Sequence, residues 1–129
     1  MKILAVAFGG IVGALLRFWC GLFLFHPQGS FPFSTFLVNV IGSFILGWFV
    51  VYGVKRINNN HLIVALQTGL IGSFTTFSTF NTEILLLVED QLYTMALLYF
   101  SASAVTGVIA IYLGMKLGSI YYGKAGEEQ

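Results

Sequence analysis

Apolar residues run along this chain in four long blocks separated by short polar joints. The blocks cover roughly Ile3–Phe25, Phe33–Val54, Leu62–Val88 and Leu92–Leu117. Each is about 20–27 residues, the length a helix needs to cross the hydrocarbon of a bilayer. The joints are His26–Pro32, Lys55–His61 and Glu89–Gln91. The pattern predicts an all-α membrane protein: a four-helix transmembrane domain over 1–117 and a polar tail over 118–129 that frays. The run after Met1-Lys2 exceeds a signal-peptide core of about 7–15 residues and contains Arg17, so it reads as a retained first span.

The polar interruptions of these blocks carry the chemistry. The densest is Gly69-Leu70-Ile71-Gly72-Ser73-Phe74-Thr75-Thr76-Phe77-Ser78-Thr79-Phe80-Asn81-Thr82-Glu83, inside the third block. As a straight helix that block would be about 40 Å long, against a hydrocarbon core near 30 Å. Tilt absorbs part of the excess. A break around Gly72–Thr76 absorbs it too and accounts for the hydroxyls, so the third helix is expected to be broken. Backbone that leaves a helix inside a membrane must be buried in protein or line a cavity, which marks an ion or substrate site. Phe77 and Phe80 share a face, with Glu83 one turn further on. Packing accounts for such a pair, but a ring edge is positive and also suits an anion.

Thr35, Asn39, Ser43 and Gly47 recur every fourth residue, one stripe on the second helix. Interhelical hydrogen bonding and a pore lining both fit that stripe. Tyr99, Ser103, Gly107 and Gly114 form a comparable stripe on the fourth span, where a buried phenol needs a partner. Gly9 and Gly13 on the first span permit close backbone packing. Arg17 lies about 12 Å inside the first span. Two readings stand for it: snorkelling to the interface, or facing a vestibule or partner. Glu83, the acidic residue within the spans, pairs with Arg17, sits in a wet vestibule or carries protons.

Composition sharpens this picture. Of 129 residues, 57% are hydrophobic and 9% charged, so charge cannot cover the surface and lipid is the expected solvent. A net charge of +1 argues against a nucleic-acid partner. Cys20 alone offers neither a disulfide nor a thiolate metal cluster. Asn39, Ser43, Thr76, Ser78, Thr79, Tyr99 and Ser103 all donate hydrogen bonds without carrying charge. Moving an ion into a low dielectric costs on the order of 20 kcal/mol, so donors must replace its water along the whole route. Neutral donors do so without trapping it. The residues therefore point to a pathway for a small anion, without naming the anion.

The sequence resembles the CrcB/Fluc fluoride channels. The resemblance rests on Gly9-Gly10-Ile11-Val12-Gly13-Ala14-Leu15-Leu16-Arg17, on Val38-Asn39-Val40-Ile41-Gly42-Ser43-Phe44, and on Gly69 to Phe80 with Glu83. It covers essentially the whole chain, although the tail after Leu117 is longer and more polar than the family needs. It implies a passive, fluoride-selective channel of the plasma membrane that exports toxic fluoride and works as an antiparallel dimer with two pores. By motif position it implies pore roles for Asn39, Phe77, Thr79, Phe80, Tyr99 and Ser103. Vestibule or interface roles fall to Arg17, Ser43 and Glu83. A structural Na⁺ at the dimer centre would be held by backbone oxygens of Gly72 and Thr75.

Four spans put both termini on one side. Lys2, Lys55, Arg56, Lys116 and Lys124 share that side, so the termini are expected in the cytoplasm. The partner is then an inverted paralogue or an oppositely inserted second copy. Two rivals remain. A small multidrug-type proton-coupled carrier would have to run on Glu83 alone. A non-transporting scaffold would not need donor stripes on three spans. No nucleophile–base pair points to an enzyme.

Overall fold

A computed structural model describes residues 2–24 and 31–127, with side chains described up to residue 123. The predicted end of the first span at Phe25 and most of the first joint lie outside the described residues. The described residues form four long apolar spans: Lys2–Phe23, Phe33–Arg56, Asn60–Glu89 and Tyr93–Gly123. Each is long and apolar enough to cross a membrane. Their outer surfaces are apolar too, with Phe8 71%, Phe18 60% and Val108 69% exposed. A water-soluble domain of this size would bury such side chains; here lipid is the natural solvent.

The spans are not uniform rods. The second is α-helical over Phe33–Trp48, passes through a π-helical turn at Phe49–Gly53 and ends at Lys55 and Arg56. The third starts at Asn59, whose side chain accepts the His61 and Leu62 N–H groups and so caps the helix. It runs α-helically to Val64, π-helically over Ala65–Ile71, then through one short turn at Gly72–Phe74. The chain becomes extended at Thr75 (φ −72°, ψ 158°), and an α-helix resumes over Ser78–Glu89. The third helix is therefore broken, but at 75–77, one turn later than the expected start at Gly72.

Between the third and fourth spans Gln91 takes φ 61°. Leu92 N–H bonds to Leu87 O at 2.8 Å and Gln91 N–H to Val88 O at 3.0 Å. This is a Schellman closure with glutamine where glycine is usual, and it reverses the chain within the short joint. The fourth helix runs over Tyr93–Glu127, so it does not end at Leu117. The expected fraying from Gly118 gives way to continued helix as far as Glu127; residues 128–129 lie outside the described residues. Nothing in 118–127 forbids a helix, and a helix already underway extends at little cost.

Two close-packed helix pairs build the molecule. The first and third spans meet backbone to backbone: a Cβ on Gly9 would collide with the Ala65 carbonyl, and one on Gly13 with the Leu70 carbonyl. The second and fourth meet the same way, Gly47 against the Ile111 carbonyl and Gly114 against the Phe44 carbonyl. Lipid offers no hydrophobic drive between helices, so this close approach and its dispersion gain hold them together. Phe80, Leu87, Ala96 and Tyr99 form a further apolar core where the second half of the third span meets the fourth.

Candidate ion pathway at the break in the third span

The break is held from outside by two other spans. Asn39, on the second, donates its amide to the Thr76 carbonyl at 3.0 Å and accepts the Thr76 N–H at 2.8 Å. One side chain thus supplies both partners that the missing helical ladder would have supplied. Arg17, on the first span, donates from Nη1 to the Thr75 carbonyl at 3.2 Å. The Thr76 hydroxyl accepts the Thr79 N–H at 3.2 Å, satisfying a free donor at the start of the resumed helix, and donates to Thr79 Oγ1 at 2.9 Å. The Thr75 and Thr82 hydroxyls bond back to their own segments, onto the Ile71 and Ser78 carbonyls.

Glu83 sits one turn past Phe80. Its Oε1 accepts the Thr35 hydroxyl and its Oε2 the Tyr99 hydroxyl, each at 2.7 Å. The carboxylate is thus shared between the second and fourth spans rather than paired with Arg17. Such short bonds to an ionised acceptor are among the stronger hydrogen bonds in proteins. Tyr99 is completely buried, with its ring 5.1 Å from that of Phe80. Phe77 and Phe80 do stand together, 6.1 Å apart, yet Phe80 is 8% exposed and Phe77 75%.

Two hollows flank this arrangement. A cavity of about 440 Å³ is lined by Asn39, Ser43, Gln67, Thr76, Phe80 and Ser103, with Gly72, Thr75 and Phe77 also on its wall. A cleft of about 250 Å³ is lined by Arg17, Thr35, Thr76, Thr79 and Glu83. Thr76 belongs to both. The structure therefore divides the predicted site residues. Asn39, Ser43, Phe77, Phe80 and Ser103 share the cavity with Gly72 and Thr75. Arg17, Thr79 and Glu83 share the cleft. Tyr99 lines neither hollow and stands behind Glu83.

The Ser103 hydroxyl is buried and has no hydrogen-bond partner among the described residues. A buried hydroxyl left unpaired costs about 1–3 kcal/mol, so a partner entering the cavity would recover that cost. Among the described residues, no charged side chain lines the cavity. Gln67, outside the predicted set, also reaches this wall. Its signal was a lone amide in an apolar run. Thr35 was visible one turn before Asn39, but its Glu83 partner was not.

The model of the family described as CrcB-like protein, Camphor Resistance (CrcB), matches residues 4–115. A fluoride-specific ion channel FluC of Oceanobacillus iheyensis is 46% identical over 117 residues, covering 90% of each chain. Fluoride-specific ion channel FluC 1 of Bacillus cereus is 41% identical over 126 residues, covering 93% of this chain and 85% of its own. FluC of Acidobacterium capsulatum is 39% identical over 121 residues, covering 92% and 97%. With its motifs, its four spans and its broken third helix, this chain belongs to the CrcB family.

Proposed function

We propose that this protein is a fluoride-selective passive channel, one that lets fluoride leave the cytoplasm down its gradient. The observation that carries the reading is the buried Ser103 hydroxyl, unpartnered among the described residues, in a donor-lined cavity without charged walls. Ser43, Ser103 and the Asn39–Thr76 pair line that cavity, and Phe80 lines it with them. Such groups replace the water of a small, strongly hydrated anion without holding it. The relatives' names supply the anion. In this reading Arg17, Thr79 and Glu83 form a vestibule, and the break is the point of passage at Thr76. Glu83 fits a proton carrier poorly, because both its oxygens already accept hydroxyl hydrogens.

The same reading makes the channel an antiparallel dimer with two pores and termini in the cytoplasm. The partner is a second copy or an inverted paralogue. Gly72 and Thr75 fit a structural Na⁺. The Thr76 N–H that would close onto the Gly72 carbonyl goes to Asn39 instead, leaving that carbonyl, among the described residues, a long contact from Thr75 Oγ1 at 3.4 Å. The Thr75 carbonyl spends one lone pair on Arg17 and keeps another. Hard carbonyl oxygens of this kind suit Na⁺.

Efflux from liposomes containing only this polypeptide tests the function. Fast, electrogenic fluoride loss with little chloride loss is expected. A proton-coupled flux of cationic drugs, abolished by Glu83→Gln, would replace the channel with a carrier. No flux of either kind would leave a scaffold.

A further inference from the structure

The second span ends in Lys55 and Arg56, both exposed and each set over a tyrosine. Lys55 Nζ lies 4.2 Å from the centre of the Tyr122 ring, and the Arg56 guanidinium 5.6 Å from that of Tyr52. Tyr52 meets Tyr121 at 6.0 Å and Trp48 at 5.2 Å, centre to centre. Lys55 adjoins Arg56 and Tyr121 adjoins Tyr122 in sequence, so these contacts close into a ring joining the second and fourth spans. Gly118 makes the closure possible by bringing the fourth helix against the Trp48 carbonyl and the Val51 side chain.

A tyrosine face attracts a cation through its quadrupole and uses none of the cation's N–H donors. Both basic groups are therefore held in place with donors to spare. The cluster stands where two apolar spans end, at the level of lipid headgroups. Glu89 and Asp90 lie at the opposite end of the third span and cannot neutralise it. Leu113, Leu117 and Tyr121 follow one another at four-residue steps on one helix face, 48%, 37% and 53% exposed. That face gives an acyl chain an apolar track leading away from the cations, which a soluble anion would not use.

We propose that the ring of Lys55, Arg56, Tyr52, Tyr121 and Tyr122 binds the phosphate headgroup of an anionic phospholipid. Trp48 at its edge is a built-in reporter, and Trp19→Phe removes the other tryptophan. The protein is reconstituted in vesicles of phosphatidylcholine with brominated phosphatidylglycerol, or with brominated phosphatidylcholine as the reference. Trp48 quenching should reveal a preference for the anionic lipid of about fivefold or more, since each basic group near an anionic surface contributes roughly that factor. Lys55→Gln with Arg56→Gln should bring the ratio to about one, whereas Lys55→Arg with Arg56→Lys should keep it. Equal quenching by the two lipids overturns the proposal, and so does a preference that survives the neutral pair. Loss of the preference on adding inorganic phosphate would assign the site to a soluble anion and overturn the lipid assignment. Should the neutral pair fail to fold, the ratio measured on the chain with both basic residues intact decides alone.

Discussion

The cavity and the cleft lie on either side of Thr76 and share it as a wall, yet they solve the problem of an ion in lipid differently. Among the described residues the cavity has hydroxyls, amides and aromatic rings on its wall and no charge. The cleft holds Arg17 and Glu83, each bonded to neutral groups: Arg17 donates to a backbone carbonyl, and the two Glu83 oxygens accept from two hydroxyls. Full charges here position neutral groups. Arg17 steadies the break, and Glu83 holds Thr35 through one oxygen and Tyr99 through the other. An unscreened charge in so low a dielectric would bind a counter-ion too tightly to release it, and the arrangement avoids that.

The most severe way to break this contrast is Asn39→Asp. It carries charge into the cavity wall and sets a carboxylate oxygen against the Thr76 carbonyl, where Asn39 donates. Fluoride efflux from liposomes should fall by about 100-fold or more, the cost of a lost donor plus a buried charge. A rate unchanged from the parent would remove Asn39 from the pathway. Next comes Glu83→Gln, which leaves one hydroxyl facing an amide N–H₂ in place of an acceptor. Loss of one charge-assisted bond predicts about a tenfold drop in efflux and a lower melting temperature. Wild-type values for both would show that Thr35 and Tyr99 do not depend on it.

Phe80→Ile keeps most of the bulk and loses the ring edge and the aromatic contact to Tyr99. Efflux should fall several-fold while the size-exclusion profile stays that of the parent protein, since such a ring pair is worth about 0.5–1.5 kcal/mol. Full conduction would leave the ring edge without a role. The smallest and sharpest change is Ser103→Ala. It removes a buried hydroxyl with no partner among the described residues, so thermal stability should hold or rise slightly. Efflux should still drop about fivefold, because the cavity loses a donor. A drop in stability instead would mean that Ser103 serves packing.

Hydrophobic run length alone made the four spans legible, because hydrocarbon demands about 20 apolar residues whatever the neighbours are. Gly9 and Gly13 were equally legible as contact points. The break was legible to within a turn, but its edges were not. Gly72 looked like its start, but Gly72–Phe74 still forms a helical turn and the chain leaves it only at Thr75. Asn39, 37 residues away, satisfies the Thr76 backbone once the chain has left the helix at Thr75, and no local pattern reports that. The fourth helix outruns its apolar block for the converse reason. Polar, glycine-containing sequence suggested fraying, while Tyr121 and Tyr122 gain partners on the second span.

The amino-acid sequence by itself determined the solvent, the number of spans, the small-residue contacts and the stock of neutral donors. These follow from each residue's own transfer energy and helical spacing. Only the tertiary structure decided which donors face a hollow and which are spent on one another. It sent the Tyr99 hydroxyl to Glu83 and left Ser103 unpaired among its described neighbours. A hydrogen bond depends on where two distant groups meet, and that is set by helix packing across the whole bundle rather than by either residue alone.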